Sequence, residues 1–231
     1  MLDKNKIYLG DCLDLMKQIP DKSIDLILTD PPYILSTGSG SKSCLKSIHK
    51  IRTGLNDISH GFDIDLVLSE FKRICKKFNA FIFCSNKQLS SIMKWGENNN
   101  YYTTCLVWYK YNAVPFCNGV WKSDIEFIVH IRENGAVFQG KSIIKNKVDV
   151  LPSEVSKYKH PTEKPLKLIE KYLKVGSNEG DLILDPFSGS GTTAVACHKL
   201  NRDFICIEKD ADYYKTSVKR LEDEQRQLRL F

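Results

Sequence analysis

Apolar runs and periodic stripes alternate along the chain. Ile24-Asp25-Leu26-Ile27-Leu28-Thr29 reads as a strand that runs into Asp30-Pro31-Pro32. The prolines stop it, because they bring no donor to a strand ladder. Ala80-Phe81-Ile82-Phe83-Cys84 is a short continuous apolar run, the pattern of a strand covered on both faces. Thr104 to Tyr109, Ile125 to Ile131, Asp181 to Leu184 and Asp203 to Ile207 are further strands. Helical periodicity lies between them. Over Leu66 to Lys77, residues Leu66, Leu68, Phe71, Ile74 and Cys75 share a face. Leu166, Ile169 and Leu173 form a second stripe, with Pro165 at a first-turn position. Thr192 to Leu200 and Tyr213 to Leu228 are the last two helices. Strands alternating with helices predict an α/β layered domain with a largely parallel sheet. With 231 residues, the chain is long enough for one ordinary domain, expected over 1–231.

Two segments break the rhythm. Residues 34–61 are polar and rich in Ser and Gly near their start, and a loop of this length inside a compact domain is either functional or disordered. A second irregular, basic stretch covers about 132–160. The net charge of +6 is concentrated near both. Residues 34–60 carry four basic and one acidic residue, and residues 110–174 carry twelve basic and seven acidic. A polyanionic partner and a solvated lysine-rich surface both fit that distribution. No apolar run approaches the ~20 residues that span a bilayer, and Met1-Leu2-Asp3-Lys4-Asn5-Lys6 lacks the apolar core of a signal peptide. A cytoplasmic protein without membrane contact is expected. None of the eight cysteines is paired as C-x-x-C, so reduced thiols are expected. The five histidines do not fall at ligand spacing with a cysteine, which argues against a metal site.

The first motif with chemistry is Asp185-Pro186-Phe187-Ser188-Gly189-Ser190-Gly191-Thr192-Thr193-Ala194, which follows a strand and opens a helix. Gly189, Gly191 and Ala194 satisfy G-x-G-x-x-[GA]. The glycines permit a tight turn and close backbone approach to a ligand, and the helix start offers N–H groups to an anion. Glu208 lies nineteen residues after Gly189, at the end of the next strand, where a carboxylate grips ribose hydroxyls. A nucleoside-type cofactor is the reading these features support together. The glycine pattern alone fits a dinucleotide equally well.

The second motif is Asp30-Pro31-Pro32-Tyr33 at a strand's C-terminal end, the edge at which open α/β sheets bind ligands. It presents a carboxylate, a carbonyl at Pro31 and an aromatic ring together. Two acceptors suit the two hydrogens of an exocyclic amine, and the ring offers a face to a planar base. A surface Pro-Pro turn with a packed tyrosine is the plainer alternative.

The two motifs, in this order, resemble those of the beta-class DNA amino-methyltransferases. In that permuted family the D-P-P-Y element precedes the F-x-G-x-G element. Leu9-Gly10-Asp11-Cys12 resembles the family's N-terminal G-D element, Trp108-Tyr109-Lys110 its W-x-K segment, and His160-Pro161-Thr162-Glu163-Lys164-Pro165 its H-P-T-x-K-P element. Glu163 stands where the family often has Gln. The resemblance implies a Rossmann-like, circularly permuted fold, S-adenosylmethionine as cofactor, double-stranded DNA as partner, and no metal in the chemistry. Homodimers are frequent in the family. A mobile loop at 34–61 is expected from its length and polarity, and a short target-recognition insertion at 132–160 from the resemblance.

Roles follow from the resemblance. Asp185, Phe187, Ser188, Gly189 and Gly191 line the cofactor, with Phe187 either on its adenine ring or in the core. Glu208 accepts from the ribose hydroxyls. Thr192 and the helix start hold the cofactor's carboxylate, with Lys164 as counter-charge. Asp11 either serves the pocket, accepting from the flipped base or helping to close it, or caps the helix from Leu13 to Gln18. Asp30 and Pro31 hold the amino group of a base taken out of the stack, Pro32 rigidifies the turn, and Tyr33 stacks on the base. D-P-P-Y points to adenine N6, since cytosine N4 enzymes more often carry serine at the Asp30 position. Lys42, Lys46, Lys50 and Arg52, and Lys141, Lys145, Lys147, Lys157 and Lys159, are the expected phosphate contacts. The rival readings are a nicotinamide- or flavin-dependent oxidoreductase, methylation of RNA or of a glutamine amide, and a DNA-binding module without catalysis.

Overall fold

The computed structural model describes residues 2–32, 63–113, 121–139, 146–153 and 163–228. Strands β1 (Lys6–Leu9), β2 (Leu26–Thr29), β3 (Asn79–Cys84), β4 (Tyr102–Tyr109), β5 (Ile125–Arg132), β6 (Val148–Val150), β7 (Leu182–Asp185) and β8 (Asp203–Glu208) form one sheet in the order β1-β8-β7-β2-β3-β5-β4-β6. Helices α1 (Cys12–Met16), α2 (Ile64–Ile74), α3 (Asn86–Asn98), α4 (Leu166–Gly176), α5 (Thr192–Lys199) and α6 (Ala211–Leu228) cover it. The pairings among β1, β8, β7, β2 and β3 are parallel. β5 alone runs against its neighbours β3 and β4, and β6 returns parallel to β4.

Burial explains the strand order. β2, β3 and β7 are buried at every position, and they occupy the middle of the sheet. One face packs Met16, Val67, Leu68, Phe71, Ile74 and Ile92 of α1, α2 and α3 against it. The other packs Leu168, Tyr172, Leu173, Ala194, Cys197 and Leu221 of α4, α5 and α6. This is the three-layer sandwich that parallel strands require.

Two local expectations change. In α2 the inward stripe is Val67, Leu68, Phe71 and Ile74, while Leu66 is 56% exposed. At 100° per residue Leu66 cannot share that face. Pro165 is the N-cap of α4, one position before the first turn. Part of the stretch at 132–160 is ordered against the core. The Gln139 N–H donates to the Val175 carbonyl at 2.8 Å, and β6 adds an edge strand. The expected loop at 34–61 lies outside the described residues. The six described cysteines are free. No helix among the described residues is long and apolar enough to cross a membrane.

Candidate active site

The C-terminal edge of the sheet gathers both motifs. Asp30 follows β2, Asp185 ends β7 and Glu208 ends β8, on three neighbouring strands. The Thr29 hydroxyl donates to Asp185 Oδ1 at 2.8 Å and ties the two motifs together across the β2–β7 pairing. Asp185 also accepts from the Phe187 N–H at 3.2 Å and from the Thr193 hydroxyl. Burial pushes its carboxyl up to about 6, against these hydrogen bonds.

The glycine loop then turns towards α5. Gly189 and Gly191 have φ of 52° and 78°, the left-handed region that glycine enters at little cost. Gly191 is the N-cap of α5, and a Cβ there would stand 2.9 Å from Ser217 Cβ on α6. Glu208 is half-buried beside the loop. Its Oε2 accepts from the Gly189 N–H at 2.7 Å and its Oε1 from the Asp210 N–H at 2.8 Å. Burial raises its pKa despite these bonds. Each oxygen still has a lone pair for a further donor. The Ser188 hydroxyl is buried with no oxygen or nitrogen partner and lies by the Cys206 thiol. Phe187 is half-buried, packed against the core.

Asp11 caps α1. Its Oδ1 accepts from the Leu13 N–H at 3.0 Å, and its Oδ2 pairs with Lys209 at 3.1 Å. Of the two roles expected for it, capping is the one the geometry bears out, at the rim beside β8.

Lys164 departs from its expected place. Its ammonium pairs with the Asp30 carboxylate, lies 3.2 Å from Glu126 Oε2, and stands over the Phe83 ring. Burial alone would lower its pKa, but the two carboxylates outweigh that and raise it. Among the described residues, Arg220 from α6 reaches the start of α5. It donates to Ser190 Oγ at 3.0 Å and Thr192 Oγ1 at 2.9 Å, and pairs with Glu163 Oε1 at 2.7 Å. Adjacent residues of one motif thus serve two halves of the site: Glu163 reaches the glycine loop through Arg220, and Lys164 reaches Asp30.

Gln88 is a further site residue that the sequence motifs do not include. Buried on α3, it donates from Nε2 to the Pro32 carbonyl at 3.0 Å, while its Oε1 accepts from the Ser85 N–H and hydroxyl. It therefore anchors the Pro-Pro turn to a helix start. The spacing Ser85-x-x-Gln88 is a capping-box signature, the one signal in the sequence that could have found it. Tyr33 and His160 to Thr162 lie outside the described residues, as do Lys42, Lys46, Lys50, Arg52, Lys141, Lys145, Lys157 and Lys159. Lys147 is described and exposed.

A family model described as DNA methylase, of the N6/N4 amino-methyltransferases, matches residues 24–219. The chain belongs to this family. Its relatives include the type II methyltransferases M2.MboI of Moraxella bovis and M2.DpnII of Streptococcus pneumoniae. The first is 32% identical, over 94% of this chain and 88% of its own length. The second is 30% identical, over 96% and 92%. Among solved structures, the M1.HpyAVI–SAM complex is 28% identical with a TM-score of 0.69, over 94% of this chain and 98% of that one. The cytosine-N4-specific PvuII DNA methyltransferase, 16% identical with a TM-score of 0.71, shares the fold over 96% and 91%. The chain is thus a Rossmann-like DNA amino-methyltransferase dependent on S-adenosylmethionine. The donor set of the methyltransferase fits that cofactor. A carboxylate with spare lone pairs, a glycine loop and the buried Ser188 hydroxyl stand at one sheet edge.

Proposed function

We propose that this methyltransferase acts on the N6 amino group of adenine in double-stranded DNA. The carrying observation is the Asp30 carboxylate, paired with Lys164 at the sheet edge, one strand away from the glycine loop. An ionised carboxylate is a strong acceptor for an amine hydrogen. When bound, S-adenosylmethionine supplies an electrophilic methyl group on a positively charged sulfur.

The chain's own residues position the partners. Glu208 accepts from the ribose hydroxyls, and the N–H groups opening α5, with Thr192, meet the carboxylate. Phe187 flanks the adenine moiety, and Gly189 and Gly191 let the backbone approach. Asp30 and the Pro31 carbonyl accept the two hydrogens of the target amine, and Tyr33 stacks on the face of the base. Two acceptors turn the nitrogen lone pair out of conjugation and aim it at the methyl group. The rate gain then comes from orientation and electrostatics. Extruding the base costs roughly a few kcal/mol, offset by contacts in the pocket.

Purified protein incubated with labelled S-adenosylmethionine and unmethylated genomic DNA tests this by nucleoside mass spectrometry. N6-methyladenine is expected. N4-methylcytosine would keep the amine mechanism and overturn the choice of base. Label in neither nucleoside would overturn the proposal.

A further inference from the structure

Two lysines belong to motifs named in the sequence: Lys110 of Trp108-Tyr109-Lys110 and Lys164 of the His160 to Pro165 element. They converge on one residue outside every motif, Glu126, the second residue of β5. Lys110 Nζ lies 3.1 Å from Glu126 Oε1, and Lys164 Nζ lies 3.2 Å from Glu126 Oε2. Lys164 then pairs with Asp30. The four groups form a line of alternating sign, Lys110–Glu126–Lys164–Asp30. It runs along the C-terminal sheet edge from β4 through the start of β5 to the end of β2.

The line is built from rigid parts. Glu126 is paired with Trp108 in the β4–β5 ladder, so its backbone is fixed. Its side chain is little exposed, at 18%, and that of Lys164 at 6%. Each ammonium also lies near an aromatic ring, Lys110 over Trp108 and Lys164 over Phe83. Burial raises the pKa of Glu126, but Lys164 and Lys110 outweigh it and hold the group ionised. An ammonium on a flexible four-carbon stem does not orient a carboxylate by itself. Fixed by Glu126 on one side, Lys164 can hold Asp30 in one place. Sharing the cation between two carboxylates also leaves Asp30 a better acceptor than a one-to-one pair would.

We propose that Glu126 is a positioning residue for methyl transfer, acting through Lys164 on Asp30, with Lys110 fixing Glu126 in turn. The inference rests on the reading of Asp30 as the residue that holds the target amine.

The test is a double-mutant cycle on the full-length protein. Glu126→Gln keeps the shape and removes the charge. It is expected to lower kcat about tenfold, as adjacent charged groups do when they act together. The dissociation constant for S-adenosylmethionine and the KM for DNA should not change. In a Lys164→Gln background, Glu126→Gln is expected to cost nothing further. Independent, multiplying losses would overturn the proposal, as would a loss confined to cofactor affinity. If Glu126→Gln does not fold, Lys110→Gln carries the same comparison with a smaller loss, and an unchanged kcat there overturns it. Asp30→Asn separates the two claims. Normal turnover in that variant would remove the underlying reading. Loss of turnover there, with Glu126→Gln fully active, would remove only this inference.

Discussion

At the scale of single residues, the proposed site divides into acceptors for the cofactor and acceptors for the target. Glu208 belongs to the first group. Replacing it with Ala removes the acceptor proposed for the ribose and is expected to weaken S-adenosylmethionine binding by about 1.5–3 kcal/mol, read by calorimetry. Because burial raises its pKa, binding should weaken on acidification earlier than an ordinary glutamate would dictate. Asp185 gives a second pH signature of definite sign. Its carboxyl is raised from 3.8 to about 6, so the folded state holds the proton more tightly than the unfolded state. The penalty is full above about pH 6 and fades as pH falls towards 3.8, at about 3 kcal/mol in total. Asp185→Asn should therefore lose that part of the pH dependence, measured as the difference between two urea-denaturation series across about pH 4–7. Parallel curves would contradict the assignment. The placing of the strand-end carboxylates, the glycine loop and the Asp30-Pro31-Pro32 turn at one sheet edge was legible because short motifs mark each of them. The partners of Lys164, Glu163 and Arg220 were not, because Lys164 meets Asp30 across 134 positions and Arg220 meets Ser190 across 30. Charge complementarity at such separation exists only after folding.

At the scale of elements, burial decided what the sequence could reveal. β2, β3 and β7 were legible because both their faces are covered and their runs are apolar throughout. β1 and β6 were not: four and three residues long at the sheet edges, with exposed positions, they carry no run to detect. α3 was missed because its buried positions are Gln88, Ile92 and Gly96, only one of them a large apolar residue. The reversal of β5 is set by pairing between strands, which no run of residues encodes. Two elements bear on activity through their ends. Gln88 on α3 hydrogen-bonds the carbonyl of the Pro-Pro turn, so Gln88→Ala is expected to lower kcat roughly tenfold through misplacement of that turn. Cofactor affinity should be unchanged, and a parallel loss of affinity would contradict this. Gly191→Ala should do the reverse. A left-handed backbone and a Cβ 2.9 Å from Ser217 would destabilise the fold by about 2–4 kcal/mol and weaken cofactor binding, seen as a lower Tm that S-adenosylmethionine no longer raises.

At the scale of the whole molecule, the glycine loop and the Asp30-Pro31-Pro32 turn share one sheet edge. The net charge of +6 is concentrated where the sequence departs from regular elements, which suits a polyanionic substrate. DNA affinity should therefore fall steeply with salt. Replacing Lys42, Lys46 and Lys50 with Gln should reduce the log–log slope by about 0.9 for each phosphate no longer neutralised, leaving cofactor affinity intact. The division of labour between the two halves of the edge is the central claim, and Asp30→Asn measures it most directly. Methyl transfer to DNA and S-adenosylmethionine binding would be recorded on the same preparation. The expected result is transfer reduced by at least about a hundredfold, with cofactor affinity within about twofold of the parent. Near-normal transfer, or loss of cofactor binding together with transfer, would contradict it.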